Sequence, residues 1–572
     1  MPLTMTALDY LCQRGLSQAS LAKQYVDYQR VENQRWQELS TQKVQSWADV
    51  WEQTVDRQPD ALIVEDLGTA QLWTYRSLDR AADKIAAWAV TTQAAYIGVN
   101  QANGAVFLAI VLGLVKAGVT AVLFNTQDPA SKLSRLAAQS HVKVGIGKEI
   151  AGVDMIDPAQ VLSCPDPGRL ASNHRQKREL SDPAVIIFTS GTSGRSKPAL
   201  FSHRRLIGAG IAWATRTGMT AKSRCYITLP LYHGNGLAVA FASCVEAGAC
   251  AVIRDRFSVR AFLPDIRRYH CDAAVYIGEL WRYLMHQTPQ PDDSENPLSI
   301  IFGNGLTSPL WETVVERFGI EHVVEHYGAT EMPASALTNW TGCPGYCGFI
   351  PPAHPDAADI VLVDEQGQPV AIDVAGEALL RVPGNHYRGY LDPALDQSKV
   401  CRDLFQPGDL WWKSGDLLSR DANGFFKFVD RLGDSYRWKG ENVATLEVEE
   451  AILASGWVQE AVVYGVSIPH SLGKVGMASI LPKQPIDESR LDLLLAHLTR
   501  LLPVYAVPHF LRFASIPHET TSTLKIRKAQ LALAGFQQID ACPHFVLHRG
   551  RYVRLSRDRL NQLISGDLTP GF

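Results

Sequence analysis

At 572 residues the chain exceeds the size at which a single hydrophobic core stops growing, so two or more domains are expected. Hydrophobic residues make up 46% and charged residues 20%, the balance of an ordinary globular protein, not of a disordered or fibrous one. The net charge of -3 and a pI near 6.6 give no basic excess, which argues against nucleic acid as a partner.

In chain order, residues 1–24 show no basic stretch followed by an apolar one, so no secretory signal is expected. Residues 1–41 are polar, Gln-rich and mildly helical, and carry no functional signal. From Val44 amphipathic helices alternate with short β-rich runs, beginning with a helix over 77–90 and a strand over 96–99. Residues 106–124 are nearly continuous apolar, about the length of a membrane-spanning helix. Lys116 near the middle and the interruptions at Gly113 and Gly118 argue instead for a buried helix, 106–117, turning into a core strand, 120–124. Further strands are expected over 184–188, 249–253, 273–277 and 323–325, with helices such as 202–217 and 309–318 between them. That alternation predicts an α/β architecture with a largely parallel sheet.

Beyond about 360 the pattern changes. Residues 359–364, 377–382 and 424–429 read as strands joined by tight turns, Asn423-Gly424 among them, which suggests an antiparallel subdomain. After Asp430-Arg431-Leu432-Gly433-Asp434 the chain reads as α+β, with a helix over 447–454, a strand over 460–466 and a helix over 487–502. The expected division is a large α/β domain over 1–432 and a small, mobile α+β domain over 433–572. The ten cysteines are scattered with no pair at C-x-x-C spacing, which favours reduced thiols in a cytosolic protein over a zinc site.

The apolar run 184–188 leads into Thr189-Ser190-Gly191-Thr192-Ser193-Gly194-Arg195-Ser196-Lys197. Gly191 and Gly194 permit close approach of a polyphosphate. The hydroxyls of Thr189, Ser190, Thr192 and Ser193, with the loop amides, can form an anion-binding concavity, and Lys197 adds a point charge. The nucleotide-kinase pattern G-x-x-x-x-G-K-[ST] is not satisfied. Taken alone the loop is also compatible with a flexible surface linker, which the preceding strand makes less apt.

This T-S-G-T-S-G-x-x-K segment resembles the signature loop of the adenylate-forming superfamily of acyl-CoA synthetases, nonribosomal adenylation domains and luciferases. Two departures are Ser196 for the usual proline and Pro198 for the usual glycine, and neither removes a phosphate ligand. Five further segments follow in the family's order: Pro230-Leu231-Tyr232-His233-Gly234, Gly303-Asn304-Gly305-Leu306, His326-Tyr327-Gly328-Ala329-Thr330-Glu331, Lys413-Ser414-Gly415-Asp416-Leu417 (Ser414 for Thr) and Asp430 to Asp434. Longer stretches such as TLPLYHGNGLAVAFASCVEAGA and DRLGDSYRWKGENVATLEVEE are similar to the fatty-acid transport protein and very-long-chain acyl-CoA synthetase group. The resemblance covers 180–560 well, 45–130 weakly and 1–44 not at all.

The resemblance implies an ATP-dependent acyl-CoA ligase with ATP, Mg2+ and CoA as its co-reactants and a carboxylic acid as substrate. Residues 189–197 would hold the β- and γ-phosphates. Glu331 would ligate Mg2+, Thr330 would contact the α-phosphate, and His233 would lie beside the acyl pocket and adenylate. Asn304 and Gly305 belong to the turn against which adenine packs, and His326, Tyr327, Gly328 and Ala329 to the motif whose Tyr327 stacks on it. Asp416 would accept from the ribose hydroxyls, assisted by Arg431.

Thr521-Ser522-Thr523-Leu524-Lys525 aligns with the family's T-x-x-G-K segment, so Lys525 would bridge the incoming carboxylate and the α-phosphate. The nearby Lys528, or a plain surface role for the basic run, stays open as an alternative. Rotation of the small domain at Gly433 and Asp434 would exchange Lys525 for the stretch Lys439-Gly440-Glu441-Asn442 in the thioester step.

The acyl pocket is expected along 232–242, near 301–304 and over 332–337, where small residues fit either room for a bulky group or tight packing. A carrier protein or an amine in place of CoA, and a binding or uptake protein without chemistry, are the competing readings. Peripheral membrane contact and a homodimer stay open.

Overall fold

The structure is a computed structural model and describes residues 6–170, 175–190, 196–333, 337–438, 441–468, 474–485, 487–520, 526, 528–536, 539 and 541–571. By contacts between Cα atoms the chain divides into two compact units. One comprises residues 1–361, 379–414 and 421–426; the other comprises 362–378, 415–420 and 427–572. The division therefore passes through the strands Gly376–Arg381, Leu410–Arg420 and Phe425–Arg431, where the sequence suggested a single boundary at 432.

The first unit holds two mainly parallel sheets. The eight-stranded one runs Leu337–Asn339, His322–Tyr327, Ile300–Asn304, Ala273–Ile277, Arg224–Ile227, Cys250–Ile253, Leu62–Asp66, Gln71–Thr74. Its inner pairs are parallel and its two outermost pairs antiparallel. The six-stranded one runs Asp154–Ile156, Val144–Gly147, Tyr96–Asn100, Thr120–Leu123, Pro183–Ser190, Ser196–Ser202, with only the last pair antiparallel. Inner strands such as Thr120–Leu123 are buried along their whole length, which explains their continuous apolar runs. Antiparallel pairing also forms within this unit, between Gly348–Phe349 and 425–426, the start of the strand expected over 424–429, and between Val400–Arg402 and 410–412, which the sequence did not mark as strands.

The membrane-length stretch resolves as the sequence suggested. The helix Ala105–Ala117 is buried at every position but Val106, and Gly118 ends it in the left-handed region with φ 73°. A Cβ at Gly113 would sit 2.5 Å from the Ala82 carbonyl oxygen and from Ile85 Cβ, so glycine lets this helix cross Tyr75–Thr92 closely. Lys116 is tolerated inside because its Nζ lies 2.5 Å from Asp83, 2.6 Å from Asp79 and 3.4 Å from Glu52. No helix among the described residues is long and apolar enough to cross a membrane.

The N-terminal helix Gln18–Thr41 is fastened to the first unit by polar anchors. Arg35 meets Glu246 at 2.6 Å, Glu32 meets Arg216 at 3.0 Å, and the Tyr25 hydroxyl donates to Asp356 at 2.7 Å. Its low hydrophobicity hid this docking in the sequence.

The second unit carries a mixed five-stranded sheet, Val458–Val466, Val475–Pro482, Phe510–Phe513, His544–His548, Arg551–Arg554. The helices Thr445–Leu453 and Glu488–Leu501 contribute Val448, Ile452, Leu494 and Leu498 to a core shared with Val462, Met477, Phe510 and Val546.

Candidate functional site

Parallel strands bring their C-terminal ends to one edge, where loops can converge on a ligand. Ile300–Asn304 and His322–Tyr327 pair in parallel, with Gly303 opposite Glu325, and the two sequence-predicted motifs 303–306 and 326–331 begin at these ends. Glycine is required at 303 because a Cβ there would lie 2.0 Å from the Tyr276 carbonyl oxygen. Gly305 is exposed and takes φ 88°, which turns the chain back.

Glu325 knits the two motifs together. It is buried, and its carboxylate accepts from the Gly305 amide at 3.0 Å, the Leu306 amide at 2.8 Å and the Tyr276 hydroxyl at 2.5 Å. Burial pushes its pKa up to about 7, against the lowering effect of the Tyr276 hydroxyl and the two amides. A carboxyl raised this way binds its proton more readily in the folded state, so ionisation erodes stability as pH rises from the ordinary carboxylate range through about 7. Glu325→Gln removes that titration at the cost of one amide bond, because the Gly305 and Leu306 amides fall on different oxygens and glutamine keeps only one, so the comparison rests on the change with pH and not on a constant offset. The variant is therefore expected to gain stability relative to the natural protein between pH 5 and 8, read as the difference in Tm across that range. Parallel Tm profiles for the two proteins would contradict it.

His326 is buried, and its Nδ1 lies 2.7 Å from the Gly303 carbonyl oxygen, which can only accept; the proton is therefore assigned to Nδ1. Burial pulls its pKa down to about 4, so the ring is neutral. Trp213 packs edge-on against it at 4.9 Å and against Phe302 at 5.7 Å. Asn304 accepts at 2.7 Å from Asn235, the first residue of a π-helix, Asn235–Phe241, that opens two residues after His233. Asn235, two residues after His233, thus touches the turn at 304. Tyr327 is buried, Gly328 is exposed, and Ala329 and Thr330 are partly exposed.

The phosphate-loop residues fall on a hairpin. Thr189 pairs with Lys197 and Ser190 with Ser196 on antiparallel strands Pro183–Ser190 and Ser196–Ser202. Gly191, Thr192, Ser193 and Gly194 lie outside the described residues, as does Lys525.

Three residues that the motifs did not mark connect this hairpin to Glu331. The Tyr390 hydroxyl donates to Glu331 Oε1 at 2.7 Å, and Lys197 Nζ lies 5.8 Å from the centre of the Tyr390 ring. Tyr390 is locked against the strand by a bridge to Ala199, and its amide donates to Asp396 at 2.8 Å. The Tyr387 hydroxyl donates to the Glu331 carbonyl at 2.9 Å and accepts from Trp412 Nε1 at 3.0 Å. Arg205, in the first turn of the helix His203–Thr217, donates to the carbonyl oxygens of Thr330 and, at 3.2 Å, Ala329. No spacing rule links residue 331 to 387, 390 or 205, so only the folded chain could find them.

The donor set at Glu331 suits Mg2+. Tyr390 occupies one lone pair of the carboxylate, leaving oxygen sites for a hard cation. Among the described residues no group of three or more His, Cys, Asp or Glu could hold a metal alone, so an ion at Glu331 would complete its shell with phosphate oxygens.

In the second unit, Arg431 Nε lies 3.6 Å from Asp416 Oδ1, which joins the two residues assigned to ribose. Gly433 falls in a turn closed by the Asp434 amide donating to the Arg431 carbonyl at 3.0 Å. Lys528 Nζ is 2.8 Å from Glu449 and donates to the Thr445 hydroxyl at 2.7 Å, so it is engaged within its own unit.

The first unit thus brings together the hairpin that carries Thr189 and Lys197, a braced carboxylate at Glu331 and a glycine turn at parallel strand ends. The chain belongs to the AMP-binding enzyme family: the model for "AMP-binding enzyme" matches residues 51–391, and that for the "AMP-binding enzyme C-terminal domain" matches 447–523.

Among its relatives, human long-chain fatty acid transport protein 5 is 38% identical over 64% of this chain and 55% of its own length. Mouse long-chain fatty acid transport protein 6 is 34% identical over 75% of this chain and 71% of its own. Human long-chain fatty acid transport protein 1 is 29% identical over 90% and 87%. The match thus spans little more than half the length of the first of these relatives.

The fold is shared with O-succinylbenzoate coenzyme A synthetase of Bacillus subtilis in complex with ATP and magnesium ion, at TM-score 0.71 and 22% identity over 85% of this chain and 99% of that one. It is also shared with ATP-bound MatB of Rhodopseudomonas palustris, at TM-score 0.74 and 20% identity over 86% and 99%.

Proposed function

We propose that this chain is an ATP-dependent acyl-CoA ligase acting on a fatty or other lipophilic carboxylic acid. The observation that supports it best is the chain of contacts from the phosphate-loop strand through Tyr390 to Glu331, one residue beyond the Thr330 assigned to the α-phosphate. The relatives' names as fatty acid transport proteins favour a lipophilic acid.

A carboxylate is a weak nucleophile and its oxygen a poor leaving group. Its attack on the α-phosphate forms one P–O bond and breaks the bond to pyrophosphate. The CoA thiolate then forms a C–S bond at the acyl carbon while the C–O bond to AMP breaks. The first step brings anions together, so the protein's work is neutralisation and positioning. Lys197 and the hydroxyls of 189–193 would hold the departing pyrophosphate, and Thr330 would orient the α-phosphate. Asp416 and Arg431 would fix the ribose, and Lys525 would draw the carboxylate to phosphorus. Glu331 would hold Mg2+, which when bound withdraws charge from the phosphate oxygens.

Gly303, Asn304 and Gly305 would face the adenine, with Tyr327 and His326 beneath, and His233 would border the acyl pocket. In this reading residues 1–432 form the adenylating domain and 433–572 the domain that carries Lys525. The enzyme would work in the cytoplasm.

The test is ATP–pyrophosphate exchange across a panel of carboxylic acids of graded length and bulk. Exchange with lipophilic acids, followed by thioester formation on adding CoA, is the expected result. No exchange with any acid would overturn the reading. Exchange without thioester would redirect it to a carrier protein or an amine as acceptor.

A further inference from the structure

Arg205 stands outside every motif that assigns a role, yet its guanidinium reaches the backbone of the Ala329-Thr330-Glu331 turn. It donates to the carbonyl oxygens of both Ala329 and Thr330, and its Cζ lies 4.0 Å from the centre of the Phe201 ring. Burial pulls its pKa down to about 10, while the nearby Tyr387 and Glu331 favour the charged form. Among the described residues it has no salt-bridge partner, so its donors are spent on peptide oxygens.

The position of Arg205 in the chain matters as much as its contacts. Strand Ser196–Ser202 carries Lys197, Ser202 caps the next helix by accepting from the Arg205 amide at 3.3 Å, and Arg205 lies in the first turn. Lysine 197 and the carbonyls at 329 and 330 are therefore tied through eight residues of rigid backbone. A planar fork with two acceptors fixes the tilt of two successive peptide groups, which a single-point ammonium would leave free to rotate. The tilt of the 330 carbonyl sets the direction in which the next residue, Glu331, leaves the turn.

We propose that Arg205 is a positioning residue for the metal–nucleotide end of the site: its bidentate grip on the Ala329 and Thr330 carbonyls aims the Glu331 carboxylate at the ion that accompanies the nucleotide phosphates. The inference rests on reading Glu331 as the Mg2+ ligand. Tyr390 and Tyr387 brace Glu331 from the opposite part of the chain, at its side chain and its carbonyl, so Arg205 supplies the backbone half of the brace.

The full chain with Arg205→Gln and with Arg205→Lys tests this by calorimetric ATP binding with and without Mg2+, alongside Tm. The readout is the factor by which Mg2+ tightens ATP binding, which loss of packing alone does not change. Arg205→Gln is expected to shrink that factor by about fivefold or more while ATP binding without Mg2+ stays within about twofold, the scale of one or two lost hydrogen bonds to a charged donor. Arg205→Lys, which keeps the charge but not the fork, is expected to fall between the two proteins, and it carries the test if the glutamine variant does not fold. A Mg2+ factor reduced less than fivefold in folded Arg205→Gln, or unchanged in Arg205→Lys where only that variant folds, would overturn the proposal. If the natural protein binds no ATP, the reading of the site itself fails; if it binds ATP and the variants match it, only the role of Arg205 does.

Discussion

Replacing Glu331 with glutamine is expected to slow acyl-adenylate formation by on the order of 100-fold or more, the scale set by loss of one group placed to stabilise developing charge. Glutamine is nearly isosteric and its amide oxygen can still accept from the Tyr390 hydroxyl, now 2.7 Å from Oε1. The Tyr387 bond to the backbone carbonyl is untouched, so Tm should change little. What disappears is the negative charge that an oxygen-seeking cation needs. Tyr390→Phe separates bracing from charge. It keeps the ring near Lys197 and deletes only the hydroxyl, so a smaller loss of about tenfold is expected, with more Mg2+ required for half-maximal rate. Pyrophosphate exchange measured against Mg2+ concentration reads both. Exchange in Glu331→Gln within about threefold of the natural protein would remove Glu331 from the mechanism.

The second large effect is expected at Lys525. Lys525→Ala should cut adenylation by about 100-fold to 1,000-fold while ATP binding stays close to normal, because the lysine acts on the carboxylate–phosphate encounter and not on the adenosine. Lys528, three residues on, supplies the internal control. Its ammonium is 2.8 Å from Glu449 and 2.7 Å from the Thr445 hydroxyl, both in the same unit. Lys528 and Glu449 are both shielded, with side-chain exposures of 19% and 12%, so Lys528→Ala leaves a mostly buried carboxylate without its ion-pair partner. The expected consequence is a stability loss on the order of 2–3 kcal/mol, read by denaturant unfolding, with adenylation per folded molecule changed only a few-fold. The reverse pattern, a stable and inactive Lys528→Ala beside an active Lys525→Ala, would exchange the two roles.

How much of this was legible in the sequence follows from the range of the interactions. The 106–124 stretch was readable because Lys116 and the two glycines are local signals, and the helix Ala105–Ala117 and strand Thr120–Leu123 follow them. Strand 273–277 and helices such as Tyr75–Thr92 were readable for the same reason, since their periodicity is contained within one element. The motif segments 303–306 and 326–331 were readable because they resemble segments of the family in its order. Their bracing was not. Glu325 joins 305, 306 and 276, and Glu331 is held from 390, contacts that depend on strand pairing and carry no spacing of their own. The docking of the helix Gln18–Thr41 was not legible because its anchors, Glu32 and Arg35, are charged residues whose partners Arg216 and Glu246 lie about 200 residues away.

The most direct test of the central claim is to mix the protein with ATP, Mg2+ and a lipophilic acid, omit CoA, and analyse the bound products by mass. An acyl-adenylate that accumulates, and is converted to acyl-CoA and AMP when CoA is added, is the predicted result. Release of ADP and phosphate in place of AMP and pyrophosphate, or an acid recovered unmodified from a protein that binds it, would contradict the account.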